Sequence, residues 1–235
     1  MIPKIIHYVW LGEEMPLKIK EIMASWIPSL WKAGYTLKAW DNTNVQQFIN
    51  TVNTRYMFDN KLWSWLSNYI RCVVLYKYGG FYIDTDVIIH KSFDIVTHLD
   101  TYIGLERCIT YNYNTLQDNH TMCSAIIGSK PNNNLFKNII DKINTLNEKD
   151  LYGKDRVLFS QLLTLYIKDN IKYKVVNYIK EAELYEKQGI LPIFNAPKFD
   201  SYPSVSEKYG DIQDYGICDH VYMNSWVDHE VKQIC

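Results

Sequence analysis

The sequence has no excess of charge of either sign, with 25 basic residues against 26 acidic ones and a net charge of −1. Nucleic-acid binding and attachment to anionic lipid both draw on basic clusters, so neither is expected here, and a phosphate would have to be met by a few local side chains. Cysteine is scarce and unpatterned. Cys72, Cys108, Cys123, Cys218 and Cys235 contain no Cys-x-x-Cys pair and are odd in number, which argues against a structural zinc site or a disulfide framework and for free thiols in a reducing compartment. No window approaches the roughly 18 uninterrupted apolar residues of a membrane helix, and no basic leader with a small-residue cleavage site opens the chain. A soluble, cytoplasmic protein is expected; peripheral association with a membrane stays open. Repeats, low-complexity tracts and charge blocks are lacking too, and 7 prolines with 47% hydrophobic residues in a chain of 235 suit one substantial core.

What is there is concentrated in Ser67 to Asp86. Apolar residues at Leu66, Tyr69, Ile70, Val73 and Val74 have the i, i+3, i+4 spacing of a buried helix face, with Asn68 and Arg71 together on the opposite side. Gly79 and Gly80 supply the left-handed residue at which helices commonly end, and Phe81-Tyr82-Ile83 reads as a short buried strand. Arg71 to Tyr78 climbs roughly 10 Å at helical rise, and Phe81 to Asp84 returns roughly 10 Å at strand rise. Arg71 is therefore expected beside Asp84 and Asp86. Two carboxylates two residues apart are hard oxygen ligands suited to Mg²⁺ or Mn²⁺, and a nearby guanidinium suits a phosphate or sugar oxygen. Taken alone, an Asp-x-Asp triplet in a loop is commonly turn chemistry with solvated charge. The apolar lead-in is what places this one at the mouth of a buried strand, where ligands of α/β sheets bind.

Around this stretch the chain alternates strands and helices. Lys4 to Gly12 reads as a first strand buried on both faces, within which Trp10 offers a flat surface for a base or, equally, a core indole, and His7 is a hydrogen-bonded interior histidine. Residues 16–33 are helical, with a break expected at Pro28; Tyr35 to Trp40 is a strand, and Asp41 to Asn44 a turn and helix start leading into Val45, Phe48 and Ile49. Val87-Ile88-Ile89 and Thr101 to Leu105 are extended, 107–121 is a polar surface loop that could meet an acceptor, and Met122 to Ile127 is a strand closed by Gly128. Amphipathic helices follow from Pro131 and across 155–168. Lys172 to Val176 and Ile190 to Phe194 are short strands, the latter placed at a sheet edge by Pro192. From 195 the chain reads as an ordered tail ending in Asp219 to Trp226, where a histidine, an amide, a hydroxyl and an indole fall within eight residues.

On Ile2 to His7 through Trp10-Leu11-Gly12, Ser25-Trp26, Trp40-Asp41, Ser67 to Asp86, Ala125 to Ser129, and His220 with Ser225-Trp226, the chain resembles a known family. It is that of the DXD-containing sugar-binding-region glycosyltransferases of glycosyltransferase family 32, relatives of the fungal initiating α-1,6-mannosyltransferase, of capsule-synthesis transferases and, distantly, of glucosylating-toxin catalytic domains. The resemblance implies an α/β, GT-A-like (Rossmann-like) fold with a mixed, mainly parallel sheet flanked by helices. It would form a single domain, 1–235, with 1–130 the nucleotide-sugar-binding half and 131–235 the acceptor side and C-terminal closing segment. It further implies a nucleotide-sugar donor (UDP-hexose or GDP-mannose), Mn²⁺ or Mg²⁺, a glycan or polysaccharide acceptor, and retention through front-face substitution. By position, Val9 and Trp10 would flank the nucleobase, with Gly12 in the same substrate-binding set and Tyr82 near the nucleoside. Asp84 would touch ribose or donor sugar and, with Asp86, grip the metal, whose shell His220 and Asn224 would complete. Arg71 would hold donor-sugar or phosphate oxygens, Ser225 would join the substrate or metal contacts, and Trp226 would donate its indole N–H to the diphosphate. The catalytic set so implied is Arg71, Asp84 and Asp86.

One departure stands at Asn68, in the substrate-binding set the resemblance implies, where the family usually carries an aspartate that contacts donor-sugar hydroxyls; the amide keeps an acceptor oxygen, adds donors and loses the charge. It motivates a rival in which the chain is a catalytically weak nucleotide-sugar or glycan binder. A haloacid-dehalogenase-type phosphatase also places Asp-x-Asp after an apolar strand, but here the motif falls late, position 88 is Ile where Thr or Val is expected, and Gly210 to Asp214 lacks the acid spacing.

Overall fold

The fold is described by a computed structural model covering residues 1–106, 121–151, 157–195 and 218–220. In chain order it comprises β1 (Ile5–Val9), α1 (Leu17–Ala24), α2 (Trp26–Lys32), β2 (Thr36–Trp40), α3 (Val52–Asp59), α4 (Trp63–Tyr78), β3 (Gly80–Ile83), β4 (Val87–Ile89), β5 (Thr101–Glu106), β6 (Thr121–Ser129), α5 (Asn134–Ile143), α6 (Glu148–Leu151), α7 (Phe159–Asn170), β7 (Tyr173–Val176), α8 (Ile179–Lys187), β8 (Leu191–Phe194) and β9 (Cys218–His220). Seven strands form one sheet in the order β2-β1-β3-β6-β5-β8-β7, and β4 pairs with β9 in a separate ribbon. β1 is parallel to β2 and β3, β8 is parallel to β5 and β7, and β6 alone runs against its neighbours β3 and β5. This is the mixed, mainly parallel sheet with flanking helices that the sequence predicts.

Alternation along the strands feeds two cores. Tyr82 and Ile127 join Leu66, Ile70, Val74, Phe136 and Leu163 on one face. Phe81, Ile83 and Ile126 join Trp26, Leu30, Phe93 and Phe194 on the other. Between α4 and β3 the chain reverses at Gly79 (φ +64°) and Gly80 (φ +95°), where an added Cβ would lie 2.7 Å from the Pro131 nitrogen or 2.5 Å from the Ile5 carbonyl oxygen. Backbone hems in both positions, so the reversal that returns the chain toward Arg71 requires glycine.

Several boundaries differ from the sequence reading. The break in the first helical region is at Ser25, because Pro28 falls in the first turn of α2, where its missing N–H would have had no helical partner. Gly128 lies inside β6 and makes room for the Phe81 ring, which a Cβ would meet at 2.6 Å. β8 is not an edge strand. Leu191 donates its N–H to the Lys172 carbonyl just before β7 and Asn195 to the Val176 carbonyl of β7, so Pro192 turns its missing donor toward β5, which pairs with β8 only at Gly104 and Phe194. α3 and α8 were not anticipated, and the acceptor loop from 107 to 120 and the tail across 196–217 lie outside the described residues. Among the described residues no helix is long and apolar enough to cross a membrane.

His7 is the interior histidine expected. The Trp40 indole donates to its Nδ1 at 3.1 Å, which leaves Nε2 to donate to the Gly79 carbonyl at 2.9 Å and so fixes the neutral tautomer. Burial holds the imidazole down at about 4. Between the ordinary value of 6.5 and about 4 the unfolded chain binds a proton that the folded chain does not. Stability should therefore fall as pH drops through that window, by on the order of 3 kcal/mol, and level off below it. Urea unfolding from pH 7 to pH 4 checks this: His7→Gln should flatten the slope, and an unchanged slope would assign it to other groups.

Candidate active site

The register of β1 on β3 pairs Ile6 with Phe81 and His7 with Tyr82; carried forward two residues, it sets Val9 level with Asp84 at the carboxyl edge of the sheet. There Asp84 to Val87 forms a turn, closed by the Val87 N–H on the Asp84 carbonyl at 3.2 Å and anchored by the Asp84 N–H on the Ala125 carbonyl at 2.8 Å. Asp86 is only 8% exposed, whereas the Asp84 side chain is 27% exposed. The two acids sit at a strand end that is largely closed off from water.

Arg71 reaches this turn from α4 as the rise arithmetic predicts. Its Nη2 donates to Asp84 Oδ1 at 2.8 Å and its Nη1 to the Ser124 carbonyl at 2.7 Å, while its Nε, also buried, has no partner among the described residues. The guanidinium lies 4.1 Å over the Tyr82 ring and 5.1 Å over that of Phe159. Burial alone would lower its pKa; the Asp84 carboxylate, then Tyr82, more than offset this and hold it above its ordinary value. Burial, reinforced by Asp84, pushes the Tyr82 phenol up, and burial pushes the adjacent Cys72 thiol up to about 12, which makes that cysteine inert as a nucleophile at neutral pH.

The sequence-derived residues separate into three groups. Arg71, Asp84 and Asp86 are brought together, with Asn68 one helical turn from Arg71 and 9% exposed. Asn68 does not face open solvent as its place opposite the apolar stripe suggests, because that side of α4 packs toward the strand ends. Val9 and Tyr82 are core residues at 7% and 2% exposure, and Tyr82 offers its ring to Arg71. Trp10 is half-buried and donates its indole N–H to the Glu13 carbonyl at 2.8 Å. Gly12 has φ +90°, exchanges both main-chain hydrogen bonds with the Asn42 amide at 3.0 and 2.8 Å, and would put a Cβ 2.7 Å from the Trp63 indole nitrogen. Gly12 thus contributes shape. Asn42, which the sequence reading left as a turn residue, is what fastens the strand-end loop.

The third group is the C-terminal set. β9 pairs antiparallel with β4 and sets His220 opposite Val87, so the backbone at 220 lies about 5 Å from the residue that follows Asp86. Asn224, Ser225 and Trp226 lie outside the described residues. Among the described residues no three His, Cys, Asp or Glu side chains form a metal cluster. The pair at 84 and 86 nonetheless fits a hard divalent ion, which commonly takes one or two carboxylates and fills the remaining positions with water and substrate phosphate.

The mixed sheet, with an acidic turn beyond its third strand and a helix-borne arginine paired to that turn, forms an α/β fold of GT-A-like type. Residues 8–109 match the family described as "Glycosyltransferase sugar-binding region containing DXD motif", a stretch that runs from the end of β1 through β5 and takes in the whole acid turn. An uncharacterized glycosyltransferase of Acanthamoeba polyphaga mimivirus is 27% identical over 181 residues, 72% of this chain and 68% of that protein. Inositol phosphoceramide mannosyltransferase 3 of Schizosaccharomyces pombe is 30% identical over 105 residues, 43% of this chain and 29% of its own length. The solved PaToxG glycosyltransferase shares the fold, with a TM-score of 0.50 and 19% identity over 72% of this chain and 69% of its own. The resemblance read from the motifs holds at this level, and glycosyl transfer is the reaction class these matches support.

Proposed function

We propose that the chain is a divalent-cation-dependent glycosyltransferase that moves a hexose from UDP-hexose or GDP-mannose to a hydroxyl of a glycan or other acceptor, with retention at the anomeric carbon. The observation that carries this reading is the ion pair between the buried Arg71 and the partly buried Asp84, set two residues before the nearly enclosed Asp86 at the sheet's carboxyl edge. Cleaving a sugar-phosphate bond builds negative charge on the departing diphosphate while the anomeric carbon becomes oxocarbenium-like. Bound Mn²⁺ or Mg²⁺ would supply Lewis-acid stabilisation of that departing charge. Asp86, with Asp84, would hold the ion, and Asn224 and His220 would close the shell from the C-terminal side.

Arg71 serves this site chiefly by fixing Asp84. Held between two rings and a carbonyl, its fork is preorganised and orients the carboxylate without reorganisation during the reaction. The same fixed positive charge favours a phosphate at the strand end. Trp10, just past the end of β1, would offer an apolar ring face to a base. The mannosyltransferase relative argues for keeping GDP-mannose among the donors.

The reading is tested by incubating the protein with UDP-glucose, UDP-galactose and GDP-mannose, with and without Mn²⁺, and measuring nucleoside diphosphate release. Release from at least one donor, only with the cation present, is expected. No release from any donor across a Mn²⁺ and Mg²⁺ series would overturn it.

A further inference from the structure

β4 is three residues long and stands outside the main sheet, yet its main-chain groups are met on both edges. One edge pairs with β9. On the other, the Trp26 indole donates to the Val87 carbonyl at 2.6 Å, the Ser25 hydroxyl accepts the Ile89 N–H at 3.2 Å, and the Ser29 hydroxyl donates to the His90 carbonyl at 2.9 Å. Residues 87 and 89 turn their polar groups to the same side of a strand. The junction of α1 and α2 therefore stands in for a missing strand, using side chains.

Two details show that this edge is specific. Ser25 sits between α1 and α2 with helical dihedrals, but its hydroxyl caps neither helix and is spent on β4. Trp26 is fully buried, with the Tyr8 ring edge-on at 5.7 Å, and packing alone would not require its N–H to meet a carbonyl. The carbonyl it meets belongs to the residue that follows Asp86. Since the Val87 N–H closes the turn on Asp84, the peptides on both sides of Val87 are fastened, one to the turn and one to α2. We infer that Trp26 and Ser25 are positioning residues for Asp86: they hold the strand leaving the acid turn and so set where that carboxylate meets a cation. This rests on the metal-dependent reading above.

Manganese binding in the presence of UDP, followed by electron paramagnetic resonance titration, separates this role from packing. Trp26→Phe keeps a ring and loses the N–H; its Mn²⁺ dissociation constant should rise about tenfold, the scale on which partners of metal-holding groups act. Ser25→Ala should shift in the same direction, and Ser25→Thr, which keeps the hydroxyl, should restore the wild-type value. A packing role would lower the unfolding temperature and leave the Mn²⁺ constant unmoved. Constants within about twofold of wild type in both Trp26→Phe and Ser25→Ala would overturn the inference. If Trp26→Phe does not fold, the Ser25→Ala and Ser25→Thr pair decides it by the same criterion. A wild-type chain that binds no Mn²⁺ with either UDP or GDP would sink the metal reading and this inference together; wild-type binding with unmoved variants, tested with whichever diphosphate supports it, would sink the inference alone.

Discussion

Asp86→Ala should lose cation-dependent donor cleavage by about 10²–10³-fold or more in kcat, the scale on which removing one preorganised charge-stabilising group acts. The carboxylate is nearly buried at a turn whose backbone is held from Asp84, Ala125 and Trp26, and those backbone contacts do not draw on the Asp86 side chain. Asp86→Asn isolates the charge, since it keeps the volume and one acceptor oxygen. Both variants should still unfold cooperatively while cleavage disappears, and raising Mn²⁺ should recover part of the rate in Asp86→Asn. Normal turnover of Asp86→Ala at ordinary Mn²⁺ would remove Asp86 from the site.

Arg71→Ala should be the costliest substitution for stability. It leaves Asp84 partly buried without its cation, strips the Ser124 carbonyl of its donor and opens space between the Tyr82 and Phe159 rings. Breaking one half of a buried pair costs about 3–5 kcal/mol, and the partial exposure of Asp84 places this case toward the lower end. The pair does not add that much net stability, because burying the guanidinium was itself costly. Urea unfolding of Arg71→Ala, Asp84→Asn and the double variant should give a coupling of at least about 1 kcal/mol. Arg71→Lys should recover charge but not the two-pronged contact, and so restore less than half of the loss.

The pairing of Arg71 with Asp84 was legible because it rests on local arithmetic: helix rise, two glycines, strand rise. The strand-helix alternation was legible from apolar runs closed by turn residues, whereas the mixed sheet followed from the family resemblance. What stayed hidden depends on contacts between distant segments. Pro192 could not reveal that its bare nitrogen faces a neighbour touching only one residue of β8, nor could Gly128 reveal the Phe81 ring that excludes a side chain there. α8 carries a readable signal in Glu181, which accepts the N–H groups of Asn177 and Tyr178, but its short charged sequence hides its small buried face. At the site, Asn42 has the look of turn chemistry and serves as the fastener of Gly12, and nothing local to Tyr82 announces that its ring lies under Arg71. Both roles belong to residues whose partners lie 11 to 30 positions away.

The central claim is that a divalent ion bound with a nucleoside diphosphate sits on the acid turn after β3. The most direct measurement is a crystal structure of the Mn²⁺ and UDP complex with the metal located by its anomalous signal. The account predicts the peak at about 2.0–2.2 Å from a carboxylate oxygen of Asp86, with the diphosphate completing its coordination and Arg71 still on Asp84. A metal lodged elsewhere on the chain, or a UDP bound with Asp86 turned away from it, would contradict the account.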